Sequence, residues 1–149
     1  MPRHAAVIRK PRSDLARVCE VFGLRELESL TEVSTRVAQM EIDRALDGVR
    51  ACGATNAMVY TLIAPRRTLD HRRHKNRNLT REEADRAVIF ANTVTLAERI
   101  FGDREKAARW LAKQNENLGA AKPLELLRTG LGAREVEEEL IRIEEGYFA

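Results

Sequence analysis

Apolar residues recur along this chain at spacings of three and four, and strand-like alternation is absent, so the pattern predicts an all-α fold. Ser13 is placed to cap a short helix with Leu15, Val18, Cys19 and Phe22 on one face, ended by Gly23. A second helix is expected from about residue 34 to 51, with Ala38, Ile42, Ala45, Val49 and Cys52 as its stripe and Gly53 at its exit. Thr55 can cap a third, TNAMVYTLI, which Pro65 ends because the residue before proline is pushed out of helical dihedrals. From Arg66 to about Lys75 a further helix is expected, with Leu69 almost its only apolar residue.

The second half is patterned more strongly. Thr80 and Glu83 form a capping box, each side chain suited to bond the other's backbone N–H. The helix they start should run to Phe101 and stop at Gly102; its apolar residues cover most of its circumference, which predicts a central or interfacial position. Asp103 caps REKAARWLAK, and Pro123 suits the first turn of PLELLRT. Between them NENLGAAK reads as a loop able to approach another surface closely. Ala133, Val136, Leu140, Ile143 and Tyr147 form a last stripe, on an acidic helix expected to span 134–145 and stop at Gly146. The expected organisation is a helical region over residues 1–79, with a helix-turn-helix-like unit, packed on a small all-helical unit over 80–149.

Composition narrows the class. At 149 residues, with 33% charged and 44% apolar residues, the chain has the balance of a soluble globular protein. No apolar run reaches the ~18 residues of a spanning helix, and the basic N-terminus MPRHAAVIRKPRSD lacks a signal's apolar core, so no membrane association and a cytoplasmic location are expected. Cys19 and Cys52 sit in apolar helical patterns away from any CxxC spacing and read as buried, reduced thiols. Charge is unevenly placed: residues 65–78 hold six Arg or Lys against one Asp, whereas the chain from Gly102 holds eight against ten Asp or Glu. Opposed ends of this kind suggest two different partners.

The basic segment is suited to nucleic acid. As a helix it would place Arg66, Arg73 and Arg77 along one side and Arg67, His71 and His74 on the adjoining one, following a short helix and a turn as a groove-entering helix does. A solvated face, or contact with an acidic partner, is the competing reading. His71 and His74 are two ligands without a third, so no metal is expected. Ser13, Ser29, Ser34 and His4 assemble no nucleophile with a base, and no phosphate-cradling glycine loop is present, so neither an enzyme nor a cofactor is expected. At the C-terminus, Tyr147 and Phe148 offer large apolar area at low entropic cost, the type of side chain that anchors interfaces.

Residues 65–149 also resemble a known family. Phe101-Gly102-Asp103, Ala108 with Trp110-Leu111, Asn117-Leu118-Gly119, Pro123 with Leu126-Leu127 and Thr129, Gly132, Val136, Leu140, Ile143 and Gly146 resemble the toxin-binding domain of the Xre/MbcA/ParS antitoxins, partners of RES-domain toxins. Upstream, RRTLDHRR and LTREEADRA are similar to the family's signatures around its helix-turn-helix. The resemblance implies a bacterial antitoxin of a type II pair. It would occlude the active site of an NAD-consuming, ADP-ribosyltransferase-like toxin and repress its own operon, as a homodimer within a toxin–antitoxin hetero-oligomer. It assigns toxin contact to Asn117, Leu118, Gly119, Pro123, Val136, Leu140, Ile143, Gly146, Tyr147, Phe148 and Ala149. DNA contact is assigned to Arg66, Arg67, Thr68, Arg72, Arg73 and Lys75. The rival readings are a stand-alone helix-turn-helix regulator whose C-terminal unit only dimerises, and a structural helical protein without either partner.

Overall fold

The computed structural model describes residues 13–147, with the backbone alone at Tyr147. Among the described residues there are nine α-helices and no strand. They are α1 (Asp14–Val21), α2 (Leu30–Gln39), α3 (Ile42–Ala51), α4 (Asn56–Leu62), α5 (Arg66–His74), α6 (Arg81–Phe101), α7 (Arg104–Ala112), α8 (Pro123–Leu126) and α9 (Gly130–Tyr147). None is long and apolar enough to cross a membrane.

Helix α6 is the axis, and α1, α2, α3, α7 and α9 all pack on it. Its start is the expected reciprocal box: the Thr80 hydroxyl accepts from Glu83 N–H at 3.2 Å, and the Glu83 carboxylate accepts from Thr80 N–H at 3.0 Å. Its end is Gly102, left-handed at φ 67°, a conformation costly for residues with a Cβ. Between them Ala84, Ala87, Val88, Phe90, Ala91, Val94, Leu96 and Ala97 are buried. The caps at Ser13, Thr55 and Asp103 and the N1 proline of α8 stand where their sequence signals put them.

Three boundaries differ from expectation. The helix expected over 34–51 is two helices. Ser29 accepts from Glu32 N–H at 3.2 Å and starts α2 earlier, and Met40 is extended at φ −89°, ψ 162°. The cause lies in packing: Val33, Val37, Met40, Ile42, Ala45, Leu46 and Val49 are all buried, and the step of two from Met40 to Ile42 cannot lie on one helical stripe. The break lets both halves face α6.

Second, α8 is a single turn, after which Leu127 is buried to 1% exposure. Third, α9 starts at Gly130, its first turn held by the Thr129 hydroxyl, which accepts from Gly132 N–H at 3.0 Å. It runs through Gly146 to Tyr147. Gly146 is therefore a helical residue rather than the stop, and it is absent from the left-handed glycines.

Candidate functional site

The NENLGAAK segment folds as a closed loop on the side of α9. Asn115 builds its base: the side chain accepts from Asn117 N–H at 2.9 Å, while its backbone pairs with Ala121 at 3.0 Å and accepts from Ala120 N–H at 3.0 Å. Asparagine suits this position because its amide mimics a turn of backbone. A single 3-10 turn, Glu116–Leu118, drives Leu118 inward to 8% exposure. Gly119 and Ala120 then both take positive φ, 66° and 62°. Such a conformation is ordinary for glycine but strained for alanine. A Cβ on Gly119 would meet nothing within 4 Å, so its glycine answers to backbone angle rather than crowding and leaves the loop tip open.

The loop is tied to α9 by a side chain that periodicity alone did not single out. Asn117 Nδ2 donates to Glu139 Oε1 at 2.8 Å, and Glu139 is only 4% exposed. The other Glu139 oxygen lies 3.1 Å from the Arg142 guanidinium, an ion-pair distance, but off the axis of a hydrogen bond. A usable signal was present. Of the three glutamates 137–139, only Glu139 lies three after Val136 and four before Ile143, in phase with the inward stripe.

The residues assigned to toxin contact therefore divide. Asn117, Gly119 and Gly146 are exposed and Ile143 is half-buried, whereas Leu118, Pro123, Val136 and Leu140 belong to the core beneath them. The Tyr147 side chain, Phe148 and Ala149 lie outside the described residues. On the outer side of α9, Leu131, Glu135, Arg142 and Gly146 succeed one another at helical spacing, and Leu131 is 79% exposed. The far end of α9 is clamped by Arg99, which pairs with Asp14 of α1 at 3.0 Å and with Glu144. The hydrogen bond to Glu144, and then that to Asp14, raises the Arg99 pKa.

The basic helix α5 has two distinct sides. Leu69 is fully buried, and flanking it Arg72 and Arg73 turn toward the body. Arg72 reaches Glu83 at 2.6 Å, and Arg73 reaches Asp43 of α3 at 2.7 Å and Asp70 at 3.0 Å. The hydrogen bond to Asp43 is the leading reason the Arg73 pKa is raised. Arg67, His71, His74 and Lys75 are exposed on the opposite side, with Arg66 at its edge 3.6 Å from Asp70 and Thr68 half-buried. The structure thus separates Arg73 from the exposed row in which spacing had placed it. The turn into α5 is braced by Arg86 of α6, whose guanidinium donates twice to the Ile63 carbonyl, at 2.8 and 3.1 Å.

Two of the concavities on the surface are mainly apolar between packed helices. An open groove of about 730 Å³ lies between α2, α6 and α9, floored by Val88 and Ile89 and rimmed by Leu30 and Ile141. A smaller apolar slot of about 220 Å³ is lined by Met58, Phe90, Val94, Leu111, Leu124 and Cys52. Burial, and then the nearby Glu98 charge, push the Cys52 thiol up to about 11 against the opposing effect of Arg104. At neutral pH it is therefore a protonated packing group, and an unreactive one, because only the thiolate is a nucleophile.

The loop and α9 coincide with a unit shared with known proteins. Residues 96–146 match the family described as the antitoxin Xre/MbcA/ParS C-terminal toxin-binding domain. The antitoxin Xre of Pseudomonas putida is 34% identical over 132 residues, which cover 89% of this chain and 83% of that protein. The antitoxin Xre of Yersinia enterocolitica is 36% identical over 86 residues, 57% of this chain and 58% of that protein. With α7, the 115–121 loop and most of α9 inside the matched unit, and with similarity to the Pseudomonas protein along most of both chains, this chain belongs to the Xre/MbcA/ParS antitoxin family.

Proposed function

We propose that this protein is the antitoxin of a type II pair and neutralises a RES-domain, NAD-consuming toxin by binding over its active site. The observation that carries this reading is the preformed loop at residues 115–121, held against α9 inside the toxin-binding unit. A loop whose backbone bonds are already closed loses little entropy on docking, which favours affinity. Asn117, Gly119, Leu131 and Arg142 supply the contact face. Leu118, Pro123, Val136 and Leu140 act from beneath by shaping it, and Ile143 lies at its margin. Gly146, Tyr147, Phe148 and Ala149 serve, on this reading, as the plug for the toxin's cleft. In this role the antitoxin blocks NAD entry and performs no chemistry itself.

The same protein, on this reading, represses its operon from the bacterial cytoplasm as a homodimer within the toxin complex, using the region before residue 80. Arg66, Arg67 and Lys75, with His71 and His74 beside them, face the phosphates, an exposed row that the core does not use. Thr68 sits at its margin. Arg72 and Arg73 hold the helix at its working angle.

Co-expression with the neighbouring RES-type gene tests the reading. Restored growth and a stable complex in pull-down are expected; unrelieved toxicity with no complex would overturn it.

A further inference from the structure

We propose that Glu139 is the positioning residue of the partner-facing loop: its carboxylate, through Asn117, holds residues 115–121 in the shape that the toxin recognises. The proposal rests on the toxin-facing reading above and adds to it a residue that does not itself face the toxin.

Glu139 stands apart from the acidic residues around it. Glu135, Glu137, Glu138 and Glu145 are exposed, whereas Glu139 is 4% exposed between α9 and the loop. A carboxylate loses hydration there and needs partners to be retained. Its one well-formed hydrogen bond runs across 22 positions of sequence to Asn117 at 2.8 Å. Asn117 is otherwise exposed, so burial does not hold its side chain in place. Around that bond the loop holds two consecutive residues at positive φ, one of them alanine. Strain of this kind persists only where the surroundings over-determine the conformation. Three constraints do so: the Asn115 base, the Leu118 plug and the Glu139 latch. Of these, only the latch ties the loop to α9 by a directional polar bond; Arg142 lies 3.1 Å from the far oxygen, at ion-pair distance.

The test uses the full chain with Asn117→Ala, Glu139→Ala, Glu139→Gln and the double alanine variant. Amide exchange is followed at Asn117, Gly119, Ala120 and Ala121, and affinity is measured by titration with the RES-type toxin. Each alanine variant should speed loop exchange and weaken toxin binding by about tenfold, the scale of a hydrogen bond to a charged group. The double variant should be no worse than either single one. Glu139→Gln should restore both properties, since its carbonyl still accepts from Asn117. Loop exchange unchanged in Asn117→Ala overturns the latch, and the double variant, which leaves no buried carboxylate without its donor, separates loss of the bond from loss of stability. Faster exchange with undiminished toxin affinity overturns the proposal differently, by locating the error in the toxin-facing reading.

Discussion

Arg72 and Glu83 join the basic helix to the axis of the fold through a carboxylate that serves two partners. One Glu83 oxygen meets Arg72 at 2.6 Å and the other closes the capping box on Thr80 N–H at 3.0 Å, while the residue is 4% exposed. Removing the cation leaves a buried carboxylate unpaired, which is more damaging than removing both. Arg72→Ala should lose about 2–3 kcal/mol by urea unfolding, with the m-value unchanged. Arg72→Ala/Glu83→Gln should recover part of that loss. A single variant as stable as wild type would show that solvent already compensates Glu83.

The opposite side of α5 should behave differently. Charge reversal at the exposed residues Arg66 and Arg67 should leave the thermal midpoint nearly unchanged, since neither is buried. Operator affinity should fall, and the slope of log K against log salt should lessen by about one for each phosphate that is no longer neutralised. Equal affinity of wild type and variant at both low and high salt would end the case for α5 as a DNA-contacting helix.

Two glycines of α9 should respond with opposite sign. A Cβ on Gly132 would sit 2.1 Å from the Leu126 carbonyl oxygen, so Gly132→Ala forces α8 and α9 apart and should cost about 2 kcal/mol or more. A Cβ on Gly146 meets nothing within 4 Å, and its backbone is helical. Gly146→Ala should therefore be neutral or stabilise by up to ~1 kcal/mol. Calorimetry decides; a marked destabilisation at Gly146 would mean that the helix stops there after all.

These contrasts also mark what could be read from sequence. The caps at Ser13, Thr55, Thr80 and Asp103, the proline of α8 and the glycine after α6 act within four residues, so spacing alone locates them. The break at Met40 is different. It depends on where α6 lies, and the local pattern shows it only as a step of two between buried residues. The inward turn of Arg73 rests on Asp43, 30 positions away, and the tie of Glu139 to the loop on Asn117, 22 away. A helical wheel holds neither partner. Gly146 misled because a glycine near a helix end signals a stop only when its φ is positive, and here it is not.

The buried thiol of Cys52 gives a pH signature. Its pKa is raised from 9.0 to about 11 in the folded state, chiefly by burial. The folded protein thus binds this proton more tightly than the unfolded chain, so the associated stability is intact below pH 9 and is lost as pH rises toward 11. The difference in unfolding free energy between wild type and Cys52→Ala should shrink by roughly 1 kcal/mol per pH unit across that window. At pH 8 the thiol should react with iodoacetamide only as fast as the protein opens. Stoichiometric labelling within seconds under native conditions would contradict the buried placement.

If the C-terminus plugs the toxin as proposed, Arg99 allows that blocking role to be separated from toxin binding. Its guanidinium holds Glu144 on α9 and Asp14 on α1, all three partly exposed, so the clamp adds little to stability and Arg99→Gln should cost under ~1 kcal/mol. What the clamp does is hold the last turn of α9 beside α1. Arg99→Gln should therefore bind toxin through the 115–121 loop almost as well as wild type, yet inhibit NAD consumption less completely at saturation. Deleting residues 146–149 should take this to its limit: retained complex in pull-down, restored NAD turnover. Full inhibition by the truncated protein would show that the loop face alone covers the cleft. Loss of binding together with inhibition would show that the tail is the main anchor rather than the plug.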